Sequence, residues 1–258
     1  MRNKPLAGKG IVVTRPSHQA QELAQLIRRL GGRPILFPAI EIRDVDDLGP
    51  FMRLVDRLDQ YDFAIFISPN SVERAMSLIS ARRSLPARLK VATIGGGSVR
   101  ALERHGVTGV IAPQGRYDSE GLLELPAFAA VSFKRVAIFR GVGGREELGD
   151  TLRERGAKVD YAECYRRVRP EPDTAPLLRA WLRNELDAIT VTSSEGLRNL
   201  FEMIGEPGRA QLLRTPLFVP HPRIAEAAHA RGVERVIVTG PGDEGLLTGL
   251  AACFSAPR

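Results

Sequence analysis

The chain has 258 residues, 43% of them hydrophobic and 26% charged, with a formal net charge of +7. That length suits one large domain or two of about 100–150 residues, with the composition of a soluble globular protein. No apolar run approaches the roughly 20 residues of a membrane span, and the two cysteines, Cys164 and Cys253, lack metal or CxxC spacing and exclude a disulfide framework.

The N-terminus, MRNKPLAGKGIVVTRP, has only Ile11, Val12 and Val13 as an unbroken apolar core. That is too short for a secretory h-region, so a cytoplasmic location is expected. IVV predicts a first strand, and Leu23, Leu26, Ile27 and Leu30 recur at helical spacing behind it, with Gly31 as the stop. FAIFI predicts another strand, which ends abruptly in Ser-Pro-Asn-Ser at 68–71. A helix begins there, with Val72, Ala75, Met76 and Ile79 on one face; Ser68 is placed to cap it and Pro69 to fill its first position. VATI precedes the glycine run GGGSVRA, and VAIF precedes GVGGREEL. AITV ends in Ser193, the expected cap, and Ser194; the apolar face Leu197, Leu200, Phe201 and Ile204 follows, and VIV closes the series. These strands are too short and too apolar to alternate, which points to parallel sheets covered by helices on both faces.

The second half of the chain repeats the first. GIVVTRPSHQAQELAQLIRRLGG is answered by RVAIFRGVGGREELGDTLRERGA, DFAIFISPNSV by DAITVTSSEGL, and SEGLLEL by DEGLLTGL, at offsets between 124 and 126. The expected fold class is therefore α/β: two flavodoxin-like domains with parallel sheets, produced by internal duplication. In such sheets ligands bind outside the carboxyl ends of the strands, where helix N-termini offer free N–H groups to anions.

Strong catalytic signatures are lacking. GVGGREEL and GGGSVRA fail the dinucleotide fingerprint, with Glu146 and Arg100 where the third small residue belongs. Their glycines are read as turns, or as places where backbone approaches a ligand closely. His18, His105, His221 and His229 show no zinc spacing, and neither a cofactor nor a metal is expected. The net charge has three readings: simple solubility, attraction of an anionic small molecule into a basic cleft, or nucleic-acid binding. The last is disfavoured by scattered basic residues and few aromatics.

VTRP at 13–16, FISPNSV at 66–72, ATIGGGSVRAL at 92–102, YDSEGLL at 117–123, FRGVGGREEL at 139–148 and CYRR at 164–167, taken together in this order, resemble the uroporphyrinogen-III synthase family over about residues 9–250. The resemblance implies two α/β domains joined by a two-stranded β-ladder. One domain would comprise residues 1–38 and 169–258 and the other residues 43–163, with crossings at 38–42 and 163–168 and a hinged cleft between them. It implies a lyase of haem (tetrapyrrole) biosynthesis acting on hydroxymethylbilane, a linear tetrapyrrole with eight carboxylates. The terminal hydroxyl leaves as water, ring D inverts through a spiro intermediate, and the macrocycle closes as uroporphyrinogen III. Pyrrole nitrogen itself expels the leaving group, so the protein has mainly to hold a flexible polyanion and donate a proton. A monomer is implied, with no nucleic-acid or membrane partner and with room for a transient hand-over from hydroxymethylbilane synthase.

Carried over residue by residue, Tyr165 matches the family's tyrosine near the domain crossing. It is read either as donor to the departing hydroxyl or as an aromatic packed on the ladder. Substrate contacts are expected from Arg15, Ser68, Asn70, Ser98, Arg140, Gly141, Ser193, Ser194 and Arg223. Capping is the competing role for Ser68, Ser98 and Ser193, and bracing of the turns for Arg15 and Arg140. PHPRIAEAA departs from the Gly-Pro-Thr-Thr-like turn of many relatives and puts His221 and Arg223 at that turn, Arg223 either clamping a carboxylate or solvated. The competing function is a two-lobe binding protein for an anionic metabolite.

Overall fold

The structure, a computed structural model, describes residues 4–255. Its contacts divide the chain into two units, with boundaries between Glu41 and Ile42 and between Arg167 and Val168. The first unit opens with β1 (Gly10–Val13), α1 (Ser17–Arg29) and β2 (Arg33–Leu36). β3 (Glu41–Arg43) leads into the second, which continues α2 (Gly49–Val55), β4 (Phe63–Phe66), α3 (Pro69–Ser80), β5 (Lys90–Thr93), α4 (Gly96–Arg104), α5 (Ser119–Leu123), α6 (Pro126–Ala129), β6 (Arg135–Gly141), α7 (Glu147–Glu154) and β7 (Lys158–Val168). The chain then returns to the first unit with α8 (Ala175–Leu182), β8 (Ala188–Thr190), α9 (Ser194–Arg214), β9 (Leu217–Val219), α10 (Pro222–His229), β10 (Val236–Val238) and α11 (Gly242–Ser255).

The first unit's sheet has the order β2-β1-β8-β9-β10, the 2-1-3-4-5 arrangement of flavodoxin-like folds. The second unit's sheet runs β3-β7-β6-β4-β5, and a parallel bridge from Ala92 to Ile111 extends it beyond β5. The sequence repeat extends to the register of pairing. Gly10 faces Arg33 across β1 and β2, and the residues 125 positions on, Arg135 and Lys158, face each other across β6 and β7. Ile11 faces Ala188, and their counterparts Val136 and Phe63 also pair.

Both faces of each sheet are buried. In β4, Phe63 and Ile65 join one core with Ile138, Leu122 and Phe128, while Ala64 and Phe66 join another with Phe51, Phe139 and Tyr165. In the first unit Val12 faces Ile189 and Leu197, and Ile11 and Val13 face Leu23 and Phe218. The expected stripe on α1 is displaced: Ala20, Leu23, Ala24 and Ile27 are buried, whereas Leu26 and Leu30 are only partly covered. α9 is two helical segments broken at Gly205 (φ 59°, ψ −163°), with Pro207 in the first turn of the second. β3 lies beside β7 at the edge of the second sheet, so the ladder expected from residues 38–42 and 163–168 is built into that sheet. Among the described residues no helix is long and apolar enough to cross a membrane.

Candidate functional site

The carboxyl ends of β4 and β7 bring three polar side chains of the second unit into one chain of hydrogen bonds. Ser68 caps α3 in a reciprocal box: its Oγ accepts from the Ser71 N–H at 3.1 Å, and Ser71 Oγ accepts from the Ser68 N–H at 3.0 Å. Tyr165 Oη lies 3.2 Å from Ser68 Oγ, and Arg167 Nη2 donates to that same phenol oxygen at 3.4 Å. Residues 165 and 167 project from the same face of β7, since side chains two apart on a strand do. Tyr165 is fully buried, Ser68 is half-buried and Arg167 is exposed.

The position of Tyr165 explains Gly141. β6 and β7 are in register through Arg140 and Glu163 and then slip, so that Gly141 faces Tyr165 across a bulge. A Cβ on Gly141 would stand 2.7 Å from Cε2 and Cζ of that ring. Gly141, expected at a close approach, lies against the protein's own tyrosine ring. Arg140, expected to clamp a carboxylate, also has a structural explanation. It is 5% exposed, donates to the carbonyls of Gly144 and Arg145 at 3.2 Å, pairs with Glu163 at 3.2 Å and stacks 3.8 Å from the Tyr161 ring centre. It therefore braces the loop that follows β6, and its Nε is left buried without a partner. Beneath it, burial pushes the Cys164 thiol up to about 12, and Sγ sits 3.4 Å from the Arg140 carbonyl oxygen. Cys164 and Cys253 are both free thiols.

At the end of β5, Gly95 supplies the cap of α4 with an extended backbone (φ −161°) and no side-chain bond. Neither conformation nor packing demands glycine here: a Cβ on Gly95 meets nothing within 4 Å, and on Gly96 only the tip of Arg100 at 3.8 Å. No side chain of Gly95 or Gly96 therefore stands over this helix start. Ser98, expected to touch substrate, is 2% exposed in the third position of α4 and belongs to the packing of that turn. Asn70 is half-buried at the second position of α3.

The first unit repeats the plan without a tyrosine. Ser193 caps α9, its Oγ accepting from the Gly196 N–H at 3.0 Å, while the neighbouring Ser194 Oγ is buried without a hydrogen-bond partner. Arg15 forms an ion pair with Asp243 at the start of α11, in keeping with the bracing role weighed for it at the turn after β1. At the departure PHPR, His221 caps α10 through Nδ1, which accepts from the Arg223 N–H at 3.2 Å; Arg223 itself is exposed. The structure thus gathers Ser68, Gly141 and Tyr165 into one cluster and gives Arg15 and Arg140 structural partners.

The family model of uroporphyrinogen-III synthase HemD matches residues 21–248. The chain belongs to the uroporphyrinogen-III synthase family. It is 35% identical over 241 residues to the uroporphyrinogen-III synthase of Escherichia coli, covering 92% of this chain and 97% of that one. It is 33% identical over the same length to that of Salmonella typhimurium. Among solved structures, a mutant uroporphyrinogen III synthase from Thermus thermophilus superposes with a TM-score of 0.62 over 96% of this chain and 99% of that one, at 21% identity. The Helicobacter pylori enzyme gives 0.57 over 93% and 97%, at 15% identity. At such identities these two likenesses show the two-unit α/β fold of the family.

For this member of the synthase family, sequence reasoning missed Arg167 and Glu163, although both lie in the ECYRRV segment at the domain crossing. For Arg167 the available signal was the strand period, since a residue two beyond Tyr165 shares its face; Glu163 lies on the other side of the bulge and the period does not place it there. Among the described residues no group of three or more His, Cys, Asp or Glu side chains could hold a metal ion.

Proposed function

We propose that this chain is a uroporphyrinogen-III synthase, a lyase that converts hydroxymethylbilane to uroporphyrinogen III with loss of water and inversion of ring D. Carboxylates of the bilane are held at strand-end turns such as the glycine start of α4 and the Ser193 turn at the start of α9, where helix N-termini favour anions. The single observation that carries the chemistry is the Tyr165–Ser68 hydroxyl contact at the end of β4 and β7, in a family match that spans nearly the whole chain. A phenol is a weak acid with an ordinary pKa of about 10. Weak acid assistance is enough, because the pyrrole nitrogen drives out the leaving group and geometry decides which isomer forms. The enzyme works as a monomer without cofactor, and receives its unstable substrate by transient hand-over from hydroxymethylbilane synthase.

The test is product isomer analysis. Purified protein supplied with freshly generated hydroxymethylbilane is expected to yield the type III isomer in excess over the spontaneous type I product. Type I alone would overturn the proposal. Thermal stabilisation by an acyclic polycarboxylate in that case would favour the binding-protein reading.

A further inference from the structure

We infer that Ser68, and not Tyr165, is the group that hands the proton to the departing hydroxyl, with Tyr165 behind it as proton source and Arg167 as the cation that holds the resulting charge. The inference rests on the functional reading above and assigns roles within it.

The hydrogen-bond inventory gives the direction. A guanidinium only donates, so the Arg167 contact at 3.4 Å uses the phenol oxygen as an acceptor. Tyr165 is fully buried, and the other partner of its hydroxyl is Ser68 Oγ at 3.2 Å, so the phenolic hydrogen points at Ser68. Ser68 Oγ accepts from the Ser71 N–H as well. Both of its lone pairs are then occupied, and its own hydrogen is left for a group outside the unit's fold. The Ser71 hydroxyl does not compete for this role, because it donates to the Ser68 carbonyl at 2.7 Å and accepts from the Ser68 N–H. The chain therefore has a polarity: Arg167 to Tyr165, Tyr165 to Ser68, Ser68 outward. A buried phenol cannot touch substrate without leaving its place against Gly141, whereas half-buried Ser68 can.

In the reaction, the Ser68 hydroxyl gives its proton to the terminal oxygen of the bilane as the carbon–oxygen bond breaks. The bonding pair leaves with the oxygen as water, and the pyrrole nitrogen lone pair takes its place on carbon. Ser68 recovers a proton from Tyr165 in the same motion, and the negative charge comes to rest on the phenolate beside Arg167. The proton shed when the inverted ring regains aromaticity returns along the same path. One water is lost overall, and no other reactant is consumed. Ser68 is then the catalytic residue, and Arg167 is a positioning residue that acts through Tyr165.

A double-mutant cycle on kcat for type III formation tests this. Ser68→Ala and Tyr165→Phe are each expected to lower kcat on the order of 100-fold, at the low end for general acids. The double variant should be no slower than the slower single one, because one chain is cut in either place. Ser68→Thr keeps a hydroxyl and should retain most activity; Ser68→Asn keeps a capping acceptor but no hydroxyl and should not, which separates the proton from the cap. A proton inventory in mixed light and heavy water should be curved for the wild type and linear for Tyr165→Phe. Arg167→Lys should recover much of what Arg167→Gln loses. Single-variant effects that multiply in the double variant, or an active Ser68→Asn, would overturn the relay while type III production by the wild type leaves the functional reading standing. A wild type that makes no type III isomer overturns that reading, and the relay's role with it.

Discussion

Replacing Gly141 by alanine is the sharpest test of how Tyr165 is held. The backbone at Gly141 does not lie in the left-handed region, so an alanine meets no conformational penalty and the whole effect is steric. Its Cβ would stand 2.7 Å from two carbons of the Tyr165 ring and 3.1 Å from its oxygen. Restoring ordinary contact requires a movement of about 0.7 Å in a fully buried ring, where neighbours are close-packed. Overpacking of this kind costs about 1–3 kcal/mol, which at about 2–4 °C per kcal/mol lowers the thermal midpoint of this unit by roughly 2–12 °C. Movement away from Gly141 also disturbs the Tyr165–Ser68 contact, now 3.2 Å. Catalysis should then fall by more than stability alone accounts for, since a displacement of about 1 Å can cost on the order of 100-fold. Calorimetry and type III formation are to be measured on Gly141→Ala, on Tyr165→Leu and on the pair. The smaller side chain should accept the new methyl, giving a favourable coupling of about 0.5–3 kcal/mol. An unchanged midpoint with an unchanged rate in Gly141→Ala would refute the packing argument.

Three further outcomes are expected. Ser193→Ala should destabilise the first unit by about 1 kcal/mol in denaturant titrations, and Ser193→Asn should recover most of it, because either side chain can accept from the Gly196 N–H. Arg140→Met should cost about 1.5–3 kcal/mol and make the loop after β6 more sensitive to trypsin at Arg145, because the carbonyls of Gly144 and Arg145 lose their donor. Cys164, pushed up to about 12 by burial against a reference of 9.0, should make stability fall as pH rises between those values. In that window the unfolded chain has lost the thiol proton while the native state keeps it, giving a slope of about 1.4 kcal/mol per pH unit that Cys164→Ala should remove. In the same experiments the native Cys164 should resist a thiol reagent that labels the partly exposed Cys253.

Much of the architecture was legible because the physics behind it is local or periodic. The strands announce themselves as short apolar runs, and the α3 face Val72, Ala75, Met76 and Ile79 is buried as its spacing predicts. Ser68 and Ser193 are caps because a cap needs only an acceptor within three residues of an N–H. The pairing registers also repeat between the two halves, as the duplication implies. The displaced stripe of α1 shows where such reading fails: Leu26 fits the period, but the buried line runs through Ala20, Leu23, Ala24 and Ile27.

The chain's own order of residues determined the class of fold, its doubling and the capped turns at the strand ends. Tertiary structure alone decided what the polar groups at those turns do. Arg15 is spent on Asp243, near the other end of the chain, and Arg140 on Glu163 in the adjacent strand. Tyr165 is buried against Gly141, with its hydroxyl 3.2 Å from Ser68 Oγ. These are contacts between residues far apart in sequence; no local period encodes them, and a charged or hydroxyl side chain acquires its role only from the partners that folding brings to it.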